Sequence, residues 1–536
     1  MTLAPNLFVR SLQEQRIANW LWEHDINFEY ESTVAGLRDS RGKIFSARPD
    51  FYYPDVNTYH EHLAIKSNGS SPFDGYLERT ASKRAAYSES KIDYFETTAG
   101  DAKNGSLINK LQSELVSRGI TPKQRPFNET LKAVSPVVLR RYHTLLLTCI
   151  QHVRAGKLTS KMLKIRADEL RDTKRAGKFI DVVMKVTTAY EQRLAAENAI
   201  DFDSMIGDAA ELVSSGRFKS PYKLILVDEF QDISGSRARL VRSIRNQSAY
   251  TKLFTVGDDW QSIYRFTGSD VTLFTDFAEH FGESWLGKLE TTFRSNQTIA
   301  TAAANFIKEN PGQVSKTVTA VRDQVPNSIR AIPVKSSSNK YAFRNSCDKL
   351  LERINQILAS RFKSEAPPLK KFSVLILGRY KHLEPTGLAL ERSHISAKFM
   401  TFHKAKGLEA DYVVLLDVSE GSYGVPSQIE DDELLNLVIP RPENYPYAEE
   451  RRLFYVAITR ASRGVFILYN HQRPSRYIAE LNSLHSNALC YETVDGEHID
   501  VCPECGGTLI TRRSRRDKSI FKGCSNFPNC RHTQPI

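Results

Sequence analysis

The stretch Lys223-Leu-Ile-Leu-Val-Asp228-Glu229-Phe-Gln-Asp232 places an apolar strand directly before a group of carboxylates. In open α/β sheets the carboxyl ends of strands face the ligand crevice. Asp228 is therefore a candidate ligand of hydrated Mg²⁺, and Glu229 is a candidate to orient or deprotonate an attacking water. Taken alone, the stretch is equally compatible with a buried strand capped by solvated acids, because a short acidic match is a weak motif.

The sequence around this strand alternates short apolar runs with amphipathic ones over residues 220–480, which is typical of buried parallel strands in α/β layers. Residues 126–215 are rich in Leu, Lys, Arg, Glu and Ala and predict helices. Residues 1–125 predict mixed α and β structure, and residues 495–536 are rich in Cys and Arg. The predicted fold class is α/β with several domains.

Composition excludes several classes of protein. A length of 536 residues predicts three or four domains, and 41% hydrophobic with 25% charged residues excludes wholesale disorder. We find no apolar stretch near 18 residues and no signal-peptide pattern, so we expect neither a membrane span nor a signal peptide. Seven cysteines in this length do not make a disulfide scaffold, so we expect a cytoplasmic protein. Lys and Arg (74) exceed Asp and Glu (62), and the net charge of +12 permits a polyanionic partner.

Four further blocks follow the acidic strand in order. They are Thr255–Phe266, Leu289–Asn296, Met400–Glu409 and Glu449–Ala461. With the acidic strand they resemble motifs II to VI of the UvrD/Rep family of superfamily 1 DNA helicases. The residues of several blocks are most similar to the helicase IV branch of that family. Five ordered blocks over residues 220–475 make coincidence improbable. The resemblance implies RecA-like motor domains that bind ATP and Mg²⁺ and translocate 3′ to 5′ on single-stranded or partly duplex DNA.

The last block, Glu449–Ala461, has a helical spacing that places an arginine among apolar residues. Leu453, Val456, Ala457 and Arg460 fall at i, i+3, i+4 and i+7, so they share one helix face. A cation on a buried face needs an anionic partner, because an isolated buried charge is costly. A γ-phosphate in an interdomain cleft would be such a partner, and an acid of the core is the alternative.

The resemblance assigns roles position by position. Asp228 and Glu229 would serve Mg²⁺ and water, Gln261 would sense the γ-phosphate, and Phe293 would stack on adenine where the family usually has Tyr. Arg294 and Arg460 would act as arginine fingers. Gly407 and Glu409 belong to the ATP-binding set, with Glu409 reaching the ribose. The residues assigned to DNA are Phe266, Tyr264, Thr401 and His403, although core packing is an equal alternative for Tyr264 and for Trp260.

A phosphate loop, Gly-x-x-x-x-Gly-Lys-[Ser/Thr], is missing before the acidic strand. The nearest candidate, Gly36–Ile44, has the wrong spacing and lacks the hydroxyl, and its flanks predict a β-hairpin. We therefore expect that this chain is the product of an incomplete gene, that a second chain supplies the missing half, or that the protein is a DNA-binding relative without ATPase activity. A motor sheet without its neighbouring strands would expose apolar edge surface.

The N-terminal region offers a competing function. Asp50 and Glu61 lie on two predicted strands joined at Pro54, and with Glu14 on the preceding helix they resemble the PD-(D/E)xK nuclease fold. Such a nuclease needs a Lys two residues after the second acid, where this sequence has Leu63. Lys66 would point to the opposite strand face. We expect a structural or DNA-contacting remnant, with an active nuclease as the alternative.

The C-terminal cysteines have zinc-ligand spacing. Cys502 and Cys505 form one knuckle, and Cys524 and Cys530 complete four thiolates for a tetrahedral Zn²⁺ site. The segment resembles the zinc ribbons of type IA topoisomerases. Residues 502–536 hold seven Lys or Arg and two acids, so the ribbon is also a candidate DNA surface. The basic residues proposed for it are Arg512, Arg513, Arg515 and Arg516.

These observations predict five domains. They are a degenerate nuclease-like domain (1–125), a helical subdomain (126–219), the remainder of the first motor domain (220–288), the second motor domain (289–485) and a zinc ribbon (495–536). The predicted function is an ATP-dependent DNA helicase or translocase acting in repair, recombination or defence. The alternatives are a nuclease and a non-catalytic DNA-binding protein.

Overall fold

The computed structural model describes residues 2–38, 42, 44–335, 341–361, 370–484, 488–504, 506–514, 519–528 and 530–535. The chain divides into two compact units, Met1–Leu145 and Leu146–Ile536. Within these described ranges, no helix has both the length and the apolar character needed to cross a membrane.

Among the described residues, six strands and five helices lie entirely within the first unit. The strands are β1 (Glu29–Tyr30), β2 (Val34–Arg38), β3 (Ile44–Ala47), β4 (Phe51–Tyr53), β5 (Thr58–Leu63) and β6 (Tyr94–Thr98). The helices are α1 (Leu12–Glu23), α2 (Tyr76–Glu89), α3 (Ala99–Asn104), α4 (Leu107–Ser117) and α5 (Phe127–Ala133). A mixed sheet has the order β1-β4-β5-β6, in which β4 and β5 form an antiparallel hairpin and β5 runs parallel to β6.

Two local predictions for this unit are confirmed. The β4–β5 hairpin turns at Pro54, and β2 pairs with β3 in antiparallel fashion, so the flanks of Gly36–Ile44 form a hairpin and not a phosphate loop. Of that candidate loop, positions 39–41 and 43 lie outside the described residues. Helix α1 packs its apolar face against the sheet through Ile17 and Leu21, which are both fully buried.

The helical prediction for residues 126–215 is also confirmed. Four helices follow α5, and the first of them contains the division between the units. They are α6 (Pro136–Gly156), α7 (Ser160–Ala167), α8 (Thr173–Ala196) and α9 (Phe202–Ser214). Helix α8 buries Ala176, Phe179, Ile180 and Val183, which recur at helical spacing on one face.

The acidic strand β7 (Leu224–Val227) pairs in parallel with β8 (Lys252–Thr255) in a two-stranded sheet. Three helices accompany this sheet. They are α10 (Gly235–Asn246), α11 (Thr272–Thr275) and α12 (Phe277–Phe281). One sheet face packs on a small core around Phe230, Ile233 and Phe281.

A second α/β region follows, with a six-stranded sheet of order β13-β12-β14-β15-β11-β16 in which all pairs are parallel. After the motor domains that the resemblance implies, we call this region the second motor layer and the region of β7 and β8 the first motor layer. Its strands are β11 (Ile329–Val334), β12 (Phe372–Gly378), β13 (Ile395–Thr401), β14 (Ala410–Leu416), β15 (Ala461–Asn470) and β16 (Leu489–Tyr491). A parallel pair, β9 (Thr291–Asn296) and β10 (Thr319–Arg322), precedes it. The helices are α13 (Gln297–Lys308), α14 (Ala342–Arg361), α15 (Ala448–Ile458) and α16 (Arg476–Leu484).

Both faces of this sheet are covered, as a parallel sheet requires. Val413, Val414 and Leu415 are consecutive on β14 and are all fully buried, so alternate side chains enter a core on each side. The α/β class and the parallel-strand prediction are therefore confirmed.

The C-terminal ribbon is a small antiparallel sheet. It consists of β17 (Leu509–Arg513), β18 (Ile520–Cys524) and β19 (Thr533–Pro535). It contacts the motor layer, since the Tyr469 hydroxyl donates to the Gly506 carbonyl oxygen at 3.2 Å. The five domain boundaries proposed from the sequence stay predictions.

Candidate functional site

The end of β7 places two carboxylates on an exposed edge. The Glu229 backbone N–H donates to Asp228 Oδ1 at 2.8 Å, and Gln231 Nε2 donates to Glu229 Oε2 at 2.5 Å. Glu229 has φ +50°, a left-handed conformation that costs a non-glycine residue on the order of 1 kcal/mol. The backbone is therefore turned so that both acids project beyond the strand, and both are solvent-accessible.

Gln261 and Arg460 lie in contact, although they are 199 residues apart in sequence. Arg460 Nη2 donates to Gln261 Oε1 at 3.3 Å, and Gln261 Nε2 donates to Asp258 Oδ2 at 2.7 Å. The amide of Gln261 thus connects an acidic group of the first motor layer to a guanidinium of the second. Two residues assigned to γ-phosphate recognition from separate sequence blocks are brought together.

Arg460 is fully buried and has neutral hydrogen-bond partners. Its other bonds go to the carbonyl oxygens of Val456 (2.9 Å) and Leu408 (3.2 Å) and to the Thr459 hydroxyl (3.1 Å). Burial, and then repulsion from Arg294, lowers the pKa of Arg460 to about 10. The guanidinium is still charged at neutral pH, and within the described part of the chain no carboxylate forms an ion pair with it.

Neighbouring arginines that are buried (Arg451, Arg452) or partly buried (Arg379, Arg265) are paired differently. Arg451, Arg452 and Arg379 each form a two-pronged ion pair with a glutamate, and Arg265 pairs with two acids. Their glutamate partners are Glu480, Glu443, Glu450 and, for Arg265, Glu449. Of the two partners that the sequence allowed for Arg460, an acid of the core is thus not found among the described residues.

One detail of the helix prediction is wrong. Helix α15 ends at Ile458, so Arg460 follows the helix instead of lying on it. Arg460 Nε nevertheless donates to the carbonyl oxygen of Val456, and this bond holds the side chain on the face that the spacing indicated.

The second predicted arginine finger is near the first. Arg294 Nε lies 3.4 Å from Glu409 Oε2, and the charge of Arg294 reaches Arg460. Phe293 precedes it with 73% of its surface exposed, so its ring is open for stacking. Gly407 has φ +79° on the loop that leads to Glu409, a conformation that favours glycine.

Lys406 was not assigned a role from the sequence, and the structure gives it one. Its Nζ lies 2.5 Å from Asp232 Oδ2 and 3.8 Å from Glu229 Oε2, and it donates to the Gln261 carbonyl oxygen at 2.9 Å. One lysine of the second motor layer therefore contacts three residues around the acidic strand end. Its position in the Met400–Glu409 block was the sequence feature that could have suggested a role for Lys406.

Aromatic residues assigned to DNA form a cluster. The Phe266 ring centroid is 6.1 Å from that of Tyr264 and 5.6 Å from that of His403, and Phe266 is 48% exposed. The Tyr264 hydroxyl donates to the His403 carbonyl oxygen at 3.2 Å. Burial lowers the pKa of His403 to about 4, so the imidazole is neutral at physiological pH. Thr401 ends β13, beside this cluster in sequence.

Trp260 is a core residue. It is fully buried, its ring packs edge-on against Tyr455 at 5.6 Å, and its indole N–H donates to the Val314 carbonyl oxygen. Of the two alternatives that the sequence left open for Trp260, the structure supports core packing.

Three of the four predicted zinc ligands lie together. The Sγ atoms of Cys502, Cys524 and Cys530 are all within 4.8 Å of one another, and those of Cys502 and Cys530 are 3.7 Å apart. Zn–S bonds of about 2.3 Å in a tetrahedron put sulfurs about 3.8 Å apart, so the spacing fits. Cys505 lies outside the described residues.

The basic residues of the ribbon differ in their availability. Arg512 makes contacts within the ribbon. It donates to the Cys524 carbonyl oxygen at 3.1 Å, and its guanidinium lies 5.4 Å from the Phe527 ring centroid. Arg513 is exposed on β17. Arg515 and Arg516 lie outside the described residues.

The N-terminal acids have a lysine partner that the sequence did not reveal. Lys83 of α2 forms an ion pair with Glu61, whose carboxylate also accepts from the Tyr87 hydroxyl at 2.8 Å. Asp50 Oδ2 accepts from the His62 backbone N–H at 2.6 Å, and burial followed by the charges of Glu61 and Glu14 raises the pKa of Asp50 to about 7. Leu63 still occupies the usual lysine position, and the fold brings Lys83 to Glu61 from a different element.

Comparisons with known proteins agree with this geometry. The model of the UvrD/REP helicase N-terminal domain matches residues 58–282, and that of the UvrD-like helicase C-terminal domain matches residues 352–472. The topoisomerase DNA-binding C4 zinc finger matches residues 499–536. The chain therefore has UvrD-like helicase N- and C-terminal domains and a topoisomerase-type zinc ribbon.

Among its relatives, DNA helicase IV of Escherichia coli is 38% identical over 332 residues, which are 61% of this chain and 45% of that protein. A probable DNA helicase of Mycoplasma pneumoniae is 25% identical over 60% of this chain and 58% of that protein. ATP-dependent DNA helicase UvrD1 of Mycobacterium tuberculosis is 32% identical over 25% of this chain and 19% of its own length. The chain spans about half the length of the first two relatives.

Two solved structures show remote similarity. The PRRSV helicase gives a TM-score of 0.24 at 15% identity, over 56% of this chain and 42% of that one. The C-terminal domain of a possible DNA helicase from Lactobacillus gives 0.20 at 17% identity, over 37% of this chain and 98% of that one. Both scores are too low to inform the fold.

Proposed function

We propose that this chain supplies the γ-phosphate-sensing and DNA-gripping parts of an ATP-dependent DNA helicase or translocase of the helicase IV type. The observation that carries the proposal is Arg460, a buried cation with neutral partners that touches Gln261 and lies near Arg294. An anion delivered to this point would meet two arginines and a glutamine amide. Movement from 3′ to 5′ and a role in repair, recombination or defence follow from the family resemblance.

The carboxylates at the end of β7 are suited to two further tasks, which are binding Mg²⁺ and activating the attacking water. Asp228 is free to hold hydrated Mg²⁺, which would neutralise charge on the β- and γ-phosphates. Glu229 orients and deprotonates the attacking water from its left-handed backbone position. Lys406 contacts the Glu229 region from the loop that also carries His403, so the ATP site and the aromatic cluster share one segment.

ATP hydrolysis stimulated by single-stranded DNA tests this function. The assay adds, as a probe for the phosphate loop, the part of E. coli helicase IV without a counterpart in this chain. We expect no hydrolysis by this chain alone and measurable hydrolysis with the probe. Glu229→Gln should lower the rate by at least ~10²-fold, because it removes the base for water. Glu279→Gln, an exposed acid on α12, is the control.

Failure of the pair to hydrolyse ATP, with DNA binding intact, would favour a non-catalytic DNA-binding protein. Hydrolysis that Glu229→Gln leaves unchanged would remove the role of this acid.

Replacing Phe266 should weaken DNA binding. Base stacking on an aromatic ring contributes about 1–3 kcal/mol, so Phe266→Ala should raise the dissociation constant for an oligo-dT of ~16 nucleotides by roughly 5- to 100-fold. Fluorescence anisotropy of the labelled oligonucleotide measures this effect. Phe202→Ala removes an equally large ring that is 87% exposed on α9 and should have no effect. Equal losses in both variants would contradict a stacking role for Phe266.

A nuclease is the second candidate function, and one contact favours it. Lys83 reaches Glu61 from α2, so two acids and a lysine lie together at the β4–β5 hairpin despite Leu63 in the usual lysine position. We expect Mg²⁺-dependent cleavage of single-stranded DNA to fall to background in Asp50→Ala and in Lys83→Met. Lys66→Met is the matched control. Absence of cleavage by the wild-type chain would leave this cluster a structural role.

A further inference from the structure

A cavity of about 600 Å³ lies between helices α6 and α7, the first motor layer and the segment that precedes α15. Its walls come from the C-terminal end of α6, from α7, from the N-terminal end of α10, from the loop after Phe266 and from residues 436–441. None of the described residues that line it belongs to the sets assigned to ATP or to DNA. We call it the α7–α10 cavity. Its volume lies within the range of about 300–1,000 Å³ that is usual for small-molecule sites.

Two partly buried arginines of the cavity wall bond to neutral groups. Arg239 donates to the carbonyl oxygens of Gly156 at 2.9 Å and Ala155 at 3.3 Å. Arg166 donates to the Leu437 carbonyl oxygen at 2.9 Å. These carbonyl groups orient the two guanidinium groups but do not cancel their charge.

Arg242 on α10 adds a third cation to the wall. Its guanidinium lies 5.8 Å from the Phe281 ring centroid. Within the described part of the chain, no carboxylate forms an ion pair with any of these three arginines. The fourth lining arginine, Arg441, pairs with Glu169, and Asp270 is the other acid of the lining. The cavity wall therefore carries a net positive charge, which favours an anionic ligand.

The first turn of α10 lies in the same wall. Ser234, Gly235 and Ser236 begin this 12-residue helix and line the cavity. The Ser234 side chain forms no capping bond, and its hydroxyl is hydrogen-bonded to that of Ser236 at 3.0 Å. The N-terminal end of a helix carries a partial positive charge, so it acts together with the arginines in attracting a phosphate.

Much of the remaining lining is apolar. It includes Leu158, Met162, Val438, Ile439 and Pro440. A free inorganic phosphate would use only the cationic wall. A nucleotide joins a phosphate to a flat base, and the faces of a base pack on apolar or aromatic side chains. The two kinds of wall in one cavity therefore favour a nucleotide over inorganic phosphate.

We infer that the α7–α10 cavity is a nucleotide-binding site, additional to the sites of the proposed function. Its phosphate lies against Arg239, Arg242 and the first turn of α10, and its base packs on Met162. The nucleotide is a residue of a bound DNA strand or a free mononucleotide, because both offer the same chemistry. Gly268 lines the cavity and directly follows the turn that carries Phe266, so a strand stacked on Phe266 is one source.

Thymidine 3′,5′-bisphosphate is the probe, because it has one base and a phosphate on each side of the sugar. We expect one molecule to bind per chain by calorimetry, and Arg242→Gln to weaken binding at least ~10-fold by removing a charge-assisted hydrogen bond. Met162→Trp should also weaken binding, because the larger side chain fills the cavity. Arg237→Gln removes an exposed arginine of the same helix outside the lining and should change the affinity less than ~2-fold. Arg460→Met should leave the affinity unchanged.

A labelled oligo-dT of ~16 nucleotides identifies the source of the nucleotide by fluorescence anisotropy. Competition between the two ligands, or a weaker oligo-dT affinity in both Arg242→Gln and Met162→Trp, would identify the DNA strand. Simultaneous binding of both ligands would identify a free nucleotide. The inference is overturned if neither ligand responds to these two variants, or if Arg237→Gln causes the same loss. A probe lost in Arg460→Met but retained in Arg242→Gln would lie at the phosphate site of the proposed function, and the cavity would then hold no nucleotide.

Methyl NMR of the wild-type chain locates the ligand without relying on a folded variant. The chain has five methionines, and the Met162 methyl resonance can be assigned from Met162→Leu. This resonance should shift when the ligand that binds is added. The methyl resonance of Met184, on α8 and outside the cavity lining, should not shift. A bound ligand that leaves the Met162 resonance unchanged would overturn the assignment of the cavity.

Discussion

An Arg460→Met chain is expected to unfold with nearly unchanged free energy, although it loses a fully buried cation. The lowered pKa of about 10 means that burial, and then repulsion from Arg294, penalise the charged form at neutral pH by about 3 kcal/mol relative to an unfolded arginine. This cost is present at every pH below 10 and is removed by methionine. The lost hydrogen bonds to carbonyl oxygens oppose this gain at about 1 kcal/mol each. The net change should lie within ~1 kcal/mol of zero.

Arg452→Met is the matched comparison. Arg452 is also buried, but its guanidinium binds both carboxylate oxygens of Glu443 and the Ser262 carbonyl oxygen. Removing one partner of a buried ion pair leaves an uncompensated charge, which costs about 3–5 kcal/mol. Urea denaturation of both variants measures the difference. A loss of more than ~3 kcal/mol in Arg460→Met would mean that Arg460 is a structural cation like Arg452.

Binding of a polyphosphate tests the role of Arg460 directly. Inorganic triphosphate with Mg²⁺ at ten times its dissociation constant should stabilise the wild-type chain by about 1.4 kcal/mol, because only the folded state offers the site. Arg460→Met should lose this stabilisation. Lys308→Met, on the surface of α13, should retain it. Equal stabilisation of all three chains would argue against a phosphate at Arg460.

The sequence predicted the motor layers well because each signal was local. An apolar run of four to seven residues identifies a strand, and β7, β12, β14 and β15 all fall where such runs predicted them. The predicted burial is wrong for β7, in which Leu224 and Leu226 are exposed. The contact between Gln261 and Arg460 was also anticipated, but only through the family resemblance. No spacing rule connects residues 199 positions apart.

The main features that the sequence did not predict are contacts between lysines and acids that are distant in sequence. Lys406 and Lys83 both reach acids from a different element, and a lysine stem is long enough to do so from many positions. The nuclease pattern requires a lysine on the same strand as Glu61. In the structure the lysine is Lys83, which lies on helix α2 between β5 and β6. The solvent exposure of Leu226 was likewise hidden, because an apolar strand gives the same pattern whether or not its second face is covered.

Removal of zinc is expected to unfold the C-terminal ribbon. Its core consists of Cys502, Cys524 and Cys530 with Leu509 packed against them, which is too little apolar surface to fold such a short module. Structural zinc contributes about 10–16 kcal/mol of binding free energy in small modules, so a bound metal would dominate the stability of the ribbon. Cys524→Ser should lower bound zinc from one ion per chain to none, measured by atomic absorption.

The effect should be confined to the ribbon. Amides of β17 and β18 should exchange freely in Cys524→Ser or after chelation, while those of β14 in the motor layer keep their protection. Cys347→Ser is the matched control, since this thiol is buried in the core of the second motor layer and apart from the zinc cluster. It should keep one zinc per chain even if it lowers stability. A Cys524→Ser chain that retains zinc, or a ribbon that stays protected without it, would show that the thiols form an ordinary core.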